Sequence, residues 1–169
     1  MTTFIFSTCD LCDLHKPDSS GDFRVLPPVF ARFGGRLKFA GRVSTVKCFE
    51  DNSAVKAALD EAGAGRVLVV DGGASMRCAL VGGNLGAAAA KNGWAGVVVN
   101  GCVRDAAELA ACDVGIRALA LMPMPPLKRN QGDRDLPVQI QAVWVRPGDW
   151  LYADEDGIVV GASQLHQHD

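Results

Sequence analysis

Along the chain the spacing of apolar residues changes several times, and each change predicts a different element. Between Ser7 and Leu14 the spacing is helical, and Ser7 or Thr8 offers a capping hydroxyl; a short amphipathic helix is expected, then an exposed loop over KPDSSGD. From Arg36 to Cys48 the pattern partly alternates around Gly41, which predicts a strand with a bend or bulge at the glycine. Asp51 or Asn52 starts a helix running to Ala62, with Val55, Ala58 and Leu59 on one face and Gly63 and Gly65 ending it. RVLVV (66–70) and GVVV (96–99) are unbroken apolar runs bounded by glycine, the pattern of strands covered on both faces. Between them a helix follows Gly82-Gly83-Asn84 and closes at Asn92-Gly93; a further helix spans Asp105–Ala111 and a short strand Ala118–Met122. Beyond the proline-rich MPMPP, PVQIQAVWV reads as a strand, with the turn Arg146-Pro147-Gly148-Asp149 leading to WLYA, DEDG and IVV in antiparallel hairpins. The tail QLHQHD reads as a frayed terminus.

This order predicts an α/β fold, one domain over residues 1–169, with a partly parallel sheet and C-terminal antiparallel hairpins. The length supports one sizeable core. Hydrophobic residues make up 49% and charged residues 21%, with a formal net charge of -2, so no basic footprint for nucleic acid is present. No apolar run is long enough for a membrane span and the N-terminus does not read as a signal peptide, which predicts a cytoplasmic protein. Cys48, Cys78, Cys102 and Cys112 lie in apolar contexts and are expected as reduced thiols. Cys9-Asp-Leu-Cys12 with His15 has part of a metal-ligand spacing but lacks a second motif, and is read as part of the first helix.

Two polar features fall where α/β proteins place ligands. Gly82-Gly83-Asn84-Leu85-Gly86 opens a helix, and its glycines let backbone amides approach a carboxylate or phosphate with the helix dipole behind them. Arg104-Asp105 follows the buried run VVVNGCV, with Gly101 read as the turn. The arginine is a fork of donors for a carboxylate or developing oxyanion; the aspartate can hold a hard divalent cation or cap the next helix. The helix and strand between the two features form one α-to-β return, which can bring both to one end of the sheet.

The segments LVVDGGASMRCALVGGNLGAAAAKNGWAGVVVNGCVRDAAEL, DVGIRALALMPMPP and VRPGDWLYADEDGIVV closely resemble the family containing the regulator of ribonuclease activity A and the class II 4-hydroxy-4-methyl-2-oxoglutarate aldolases. The resemblance implies a swivelling β/β/α-type domain, a ring-shaped homotrimer with sites near subunit interfaces, and a divalent ion, magnesium or manganese. It implies that Gly82, Gly83, Asn84 and Leu85 bind a pyruvate-like 2-oxo acid, that Arg104 contacts it and that Asp105 anchors the metal, Arg104 and Asp105 being the catalytic pair. The implied reaction is retro-aldol cleavage of 4-hydroxy-4-methyl-2-oxoglutarate to two pyruvates, with oxaloacetate decarboxylation as a side activity; both leave a pyruvate enolate. The same resemblance carries an alternative without catalysis, binding and inhibition of ribonuclease E. One position departs from the aldolase pattern: Gly83 stands where active members tend to carry an acid, and Asp71 is a candidate substitute.

Overall fold

The computed structural model describes residues 4–167. In chain order the elements are α1 (Thr8–His15), β1 (Phe23–Val25), β2 (Ala31–Arg32), β3 (Phe39–Lys47), α2 (Ser53–Leu59), β4 (Val67–Asp71), β5 (Ala79–Val81) and α3 (Gly83–Lys91). They continue as β6 (Gly96–Val103), α4 (Ala106–Ala110), β7 (Gly115–Leu121), β8 (Asp133–Arg134), β9 (Val138–Ile140), β10 (Val143–Val145), β11 (Trp150–Ala153) and β12 (Ile158–Gly161). One curled, mixed sheet has the order β1-β12-β11-β3-β4-β6-β7-β2, with β5 also on β6 and β8 on β3; β9 and β10 form a separate hairpin.

The strands β3, β4, β6 and β7 are parallel, and alternation along them sorts side chains into two cores. Leu68 and Val70, with Val97 and Val99, face the helices and pack with Val55, Leu59, Ala89 and Leu109. Val67, Val69 and Val98 face the other way, onto Ile140, Val145, Leu151 and Val160. Val67–Val70 is therefore apolar throughout because each face meets a different layer, and the result is the expected β/β/α arrangement.

β3 joins the layers: Phe39–Arg42 pair antiparallel with β11, and Val43–Lys47 pair parallel with β4. The pairing with β11 runs through Gly41 without a register shift, so the expected bulge is absent. Glycine is needed there because a Cβ would collide with the Gly65 carbonyl. Phe39 lies against Gly96 and Gly115, at the starts of β6 and β7, where no side chain could share the space. α1 is capped by Ser7, whose Oγ accepts from Asp10 N, and is fastened through Thr8, whose N and Oγ1 donate to the Asp154 carboxylate at 2.7 and 2.6 Å.

Other expectations need correction. α2 ends at Leu59, with Asp60 as C-cap, rather than running to Ala62 and the glycines. Gly63 is instead required by the close passage of Trp94, whose ring and backbone a Cβ would meet at about the same 2.6 Å. PVQIQAVWV is not one strand: Gln141 (φ 46°) and Ala142 (φ 63°) turn it into the β9–β10 hairpin, and Gln141 Nε2 donates to Asn100 Oδ1 at 2.9 Å. Such positive φ values in non-glycine residues carry no glycine signal in the sequence. The tail is not frayed over its described part, since His166 is buried against Phe4 and Trp150 and hydrogen-bonded to Tyr152 Oη; residues 168–169 lie outside the described residues. All six cysteines are free thiols, and burial pushes the Cys48 thiol up to about 12. Among the described residues no helix is long and apolar enough to cross a membrane.

The seating of Phe39 gives a direct test. Gly115→Ala is expected to lower stability by about 1–3 kcal/mol, because Phe39 is enclosed and cannot move aside. In Gly115→Ala/Phe39→Leu the loss is expected to be smaller than the sum of the single losses, as read by urea denaturation. Additive losses would show that the ring and the glycine do not compete for space.

Candidate active site

β5 and β6 end side by side: Arg104 N donates to Val81 O at 2.9 Å, so the chain leaving β5 at Gly82 and the chain leaving β6 at Arg104 start from one point. Gly101 is not a turn, because β6 continues through it to Val103. A register shift against β7 between Val99 and Cys102 accommodates this stretch instead. The reversal comes at Asp105, which takes the left-handed conformation (φ 61°, ψ 52°). Aspartate tolerates that region better than most residues.

That turn carries the Asp105 carboxylate back to the start of α3, where Oδ2 accepts from Gly83 N at 2.9 Å. Asp105 occupies the N-cap position of α4 but makes no capping bond with its side chain. It serves the other helix: the N-cap of α3 is Gly82, which has no side chain to cap it, and the Asp105 carboxylate satisfies one first-turn amide. The amides of Asn84 and Leu85, in the same turn, have no intrahelical acceptor. Asn84 is exposed, and Leu85 is half-buried against the core below. The Arg104 side chain is 41% exposed, with Nε 4.0 Å from Asp105 Oδ2 and Nη1 donating to Pro123 O at 3.4 Å. Arg104 and Asp105 thus lie beside Gly82 and Gly83, and a Cβ on Gly82 would stand 2.7 Å from Asp105 Oδ2.

Glu108 is the residue that sequence reasoning missed. It lies in the first turn of α4, and its carboxylate occupies the space that a side chain on Gly83 would take. Its signal was an acid three positions beyond Asp105, on the helix that Asp105 opens. Asp71, the other candidate substitute, is engaged in its own turn, accepting from Gly73 N at 2.9 Å.

Asp105 and Glu108 therefore present two carboxylates around Gly83. Among the described residues a protein donor engages only Oδ2 of Asp105, and the set is all oxygen. This fits a small hard cation such as magnesium, which uses one or two protein carboxylates and fills its remaining positions with water and substrate oxygens. No group of three or more His, Cys, Asp or Glu side chains that could hold a metal occurs among the described residues, so the donor set here is a pair.

The segment following β7 covers this end of the sheet and is pinned from beneath. Met122 N donates to Val103 O, and Met124 O accepts from Ala79 N at 2.8 Å. Asp51 holds the far end: Oδ1 accepts from Ser53 N and Oγ, and Oδ2 accepts from Arg129 N at 2.6 Å and Gln131 N at 3.3 Å. Asn52 is the N-cap of α2 but uses its Nδ2 to bond Leu80 O in β5. Burial opposes ionisation of Asp51, yet the bonds from Ser53, Arg129 and Gln131 outweigh it and hold the carboxyl at about 2.

These features define a class: an α/β protein whose parallel strands end at the open first turn of a helix, flanked by paired carboxylates. The family described as RraA-like, Aldolase/RraA, matches residues 8–160, and the chain belongs to it. It is 67% identical over 168 residues to a protein of Albidiferax ferrireducens named "Putative 4-hydroxy-4-methyl-2-oxoglutarate aldolase", covering 95% of this chain and 97% of that protein. A Burkholderia multivorans protein of the same name is 58% identical over 161 residues, covering 95% and 98%. Among solved structures, the RNA-processing inhibitor RraA from Thermus thermophilis superposes with a TM-score of 0.89 at 47% identity, covering 95% of each chain.

The Asp51 clamp predicts a pH dependence. Its folded pKa lies below the unfolded value of about 4, so its stabilisation is present in full above that value and is lost as pH falls towards about 2. Asp51→Asn is expected to lower stability at neutral pH and to flatten the stability–pH slope between those limits, measured by urea denaturation at each pH. An unchanged slope would remove the carboxylate from the account.

Proposed function

We propose that the protein is a divalent-metal-dependent lyase for small 2-oxo acids, cleaving 4-hydroxy-4-methyl-2-oxoglutarate to two pyruvates and decarboxylating oxaloacetate as a side activity. The observation that carries this reading is the convergence of Asp105 and Glu108 on Gly83, beside Arg104 and the open first turn of α3. The names of the relatives at 58–67% identity agree with it.

In this reading the amides of Asn84 and Leu85 receive the substrate carboxylate, with the α3 dipole favouring the charge. Arg104 faces the 2-oxo group, so its guanidinium stabilises the negative charge that develops on that oxygen as the carbon–carbon bond breaks. The charge appears in the same place whether the departing fragment is pyruvate or carbon dioxide, so one site serves both reactions. Asp105 and Glu108 would hold magnesium or manganese, which when bound would supply Lewis-acid polarisation of the 2-oxo group. No Schiff-base lysine is needed in this reading. The Pro123 carbonyl fixes one end of the Arg104 fork and leaves the rest for substrate.

The reading includes a cytoplasmic homotrimer, in which the exposed Met124 and Leu127 of the segment after β7 become subunit contacts. The alternative, inhibition of ribonuclease E without catalysis, draws on the likeness to the Thermus inhibitor. It gives no role to the paired carboxylates.

The test is coupled measurement of pyruvate release from both substrates. Activity is expected with magnesium and is expected to fall to background after chelation or in Asp105→Ala. Arg104→Lys is expected to lower kcat/KM by about a hundredfold or more, since a point charge cannot replace the fork. Release that ignores both chelation and Asp105→Ala would overturn the lyase reading, and capture of ribonuclease E by the inactive protein would then support the alternative.

A further inference from the structure

A concavity lies at the other end of the parallel strands, at the starts of β4 and β6, where Gly65, Arg66, Trp94 and Ala95 form part of its wall. The eight residues of β6 separate it from Arg104 by about 25 Å. It has a volume of about 890 Å³ and is half-open, the size of a site for a small organic ligand.

Its chemistry is one-sided. Arg36, Lys38, Arg42 and Arg66 line it, against the single carboxylate of Asp113. Three of the cations are tied back to the protein. Arg36 pairs with Asp113 at 3.2 Å, Lys38 donates to Phe6 O, and Arg66 bonds Gly63 O, Ser44 Oγ and Ala62 O. Arg42 is exposed and has no such partner among the described residues. The walls between these charges are aromatic: Arg66 lies over the Trp94 ring at 4.7 Å, Lys38 over the Phe6 ring at 4.5 Å, and Trp150 is half-buried along the edge.

From this lining we infer a second ligand site, for an organic anion that joins a flat ring to an oxyanion on the scale of a purine mononucleotide. The Arg42 guanidinium and the donors of Lys38 not used by Phe6 O receive the phosphate, and the half-buried Trp150 and Phe4, which line the same cavity, receive the ring, Trp94 and Phe6 being buried beneath Arg66 and Lys38. A bare inorganic anion leaves the apolar wall uncovered, and an uncharged ring leaves the cations unanswered. The volume of about 890 Å³ suits one such molecule. The inference is independent of the proposed lyase reaction, because it uses none of that site's residues.

The probe is adenosine 5′-monophosphate, followed by tryptophan fluorescence in a Trp144→Phe background, which leaves Trp94 and Trp150, both lining the groove, as the reporters. The expected result is saturable quenching at low-millimolar concentration or below. Arg42→Glu is expected to weaken it by about tenfold or more, and inorganic phosphate and adenosine alone are each expected to bind at least about tenfold more weakly. Equilibrium dialysis with labelled nucleotide provides a second readout should quenching be small. The absence of binding in both, or equal binding by Arg42→Glu, would overturn the site. Phosphate or adenosine binding as well as the whole nucleotide would overturn the ligand class. If Arg42→Glu changes the sedimentation coefficient and no nucleotide binds, the face is a contact between copies of the chain, and the inference fails.

Discussion

The hydrogen bond from Gly83 N to Asp105 Oδ2 joins the two halves of the candidate site. A carboxylate leaving the end of one buried strand caps the helix that follows its neighbour, so two loops distant in sequence become one rigid unit. The bond depends on the left-handed backbone at Asp105 and on the missing side chain at Gly82, whose Cβ would crowd the same oxygen. It also depends on the parallel pairing of β5 with β6, which brings the two chain ends together. Arg104, one residue before the turn, takes its direction from that unit and from the Pro123 carbonyl. The rest of the sheet, with its two separate cores, keeps these strand ends in place.

This arrangement changes the meaning of Gly83. By sequence it is the loss of an acid from the site, since neighbours along the chain are all that a motif displays. In space, the Glu108 carboxylate occupies the position that an acidic side chain on Gly83 would need. An acid at both positions would crowd two negative charges into one volume, so each position constrains the other. The carboxylate at this point is carried by α4, and the Asn84 and Leu85 amides in the first turn of α3 keep no intrahelical acceptor.

The parallel core was legible because its signals are strong and local: the apolar runs at Val67–Val70 and Val97–Val99, each closed by turn residues, admit little besides strands buried on both faces. The pairing of the glycine loop with Arg104 and Asp105 was legible for the related reason that a short α-to-β return limits where its ends can lie. Less visible were features set by contacts between distant segments. Gly41 and Gly63 have the look of local breakers, yet each is fixed by another part of the chain passing close by. The hairpin turn at Gln141 and Ala142 uses residues with no turn preference, held by Asn100. Asp105 has the spacing of a cap for the helix it precedes, and only its backbone conformation shows that it caps a different one.

The central claim is that Glu108 supplies, from α4, the carboxylate that Gly83 lacks. Manganese binding followed by electron paramagnetic resonance tests it without reference to turnover. Glu108→Ala is expected to weaken manganese binding by about tenfold or more, and Gly83→Asp/Glu108→Ala is expected to recover most of that loss, because removing Glu108 opens the space for the new side chain. Binding by Glu108→Ala equal to that of the unaltered protein would contradict the account.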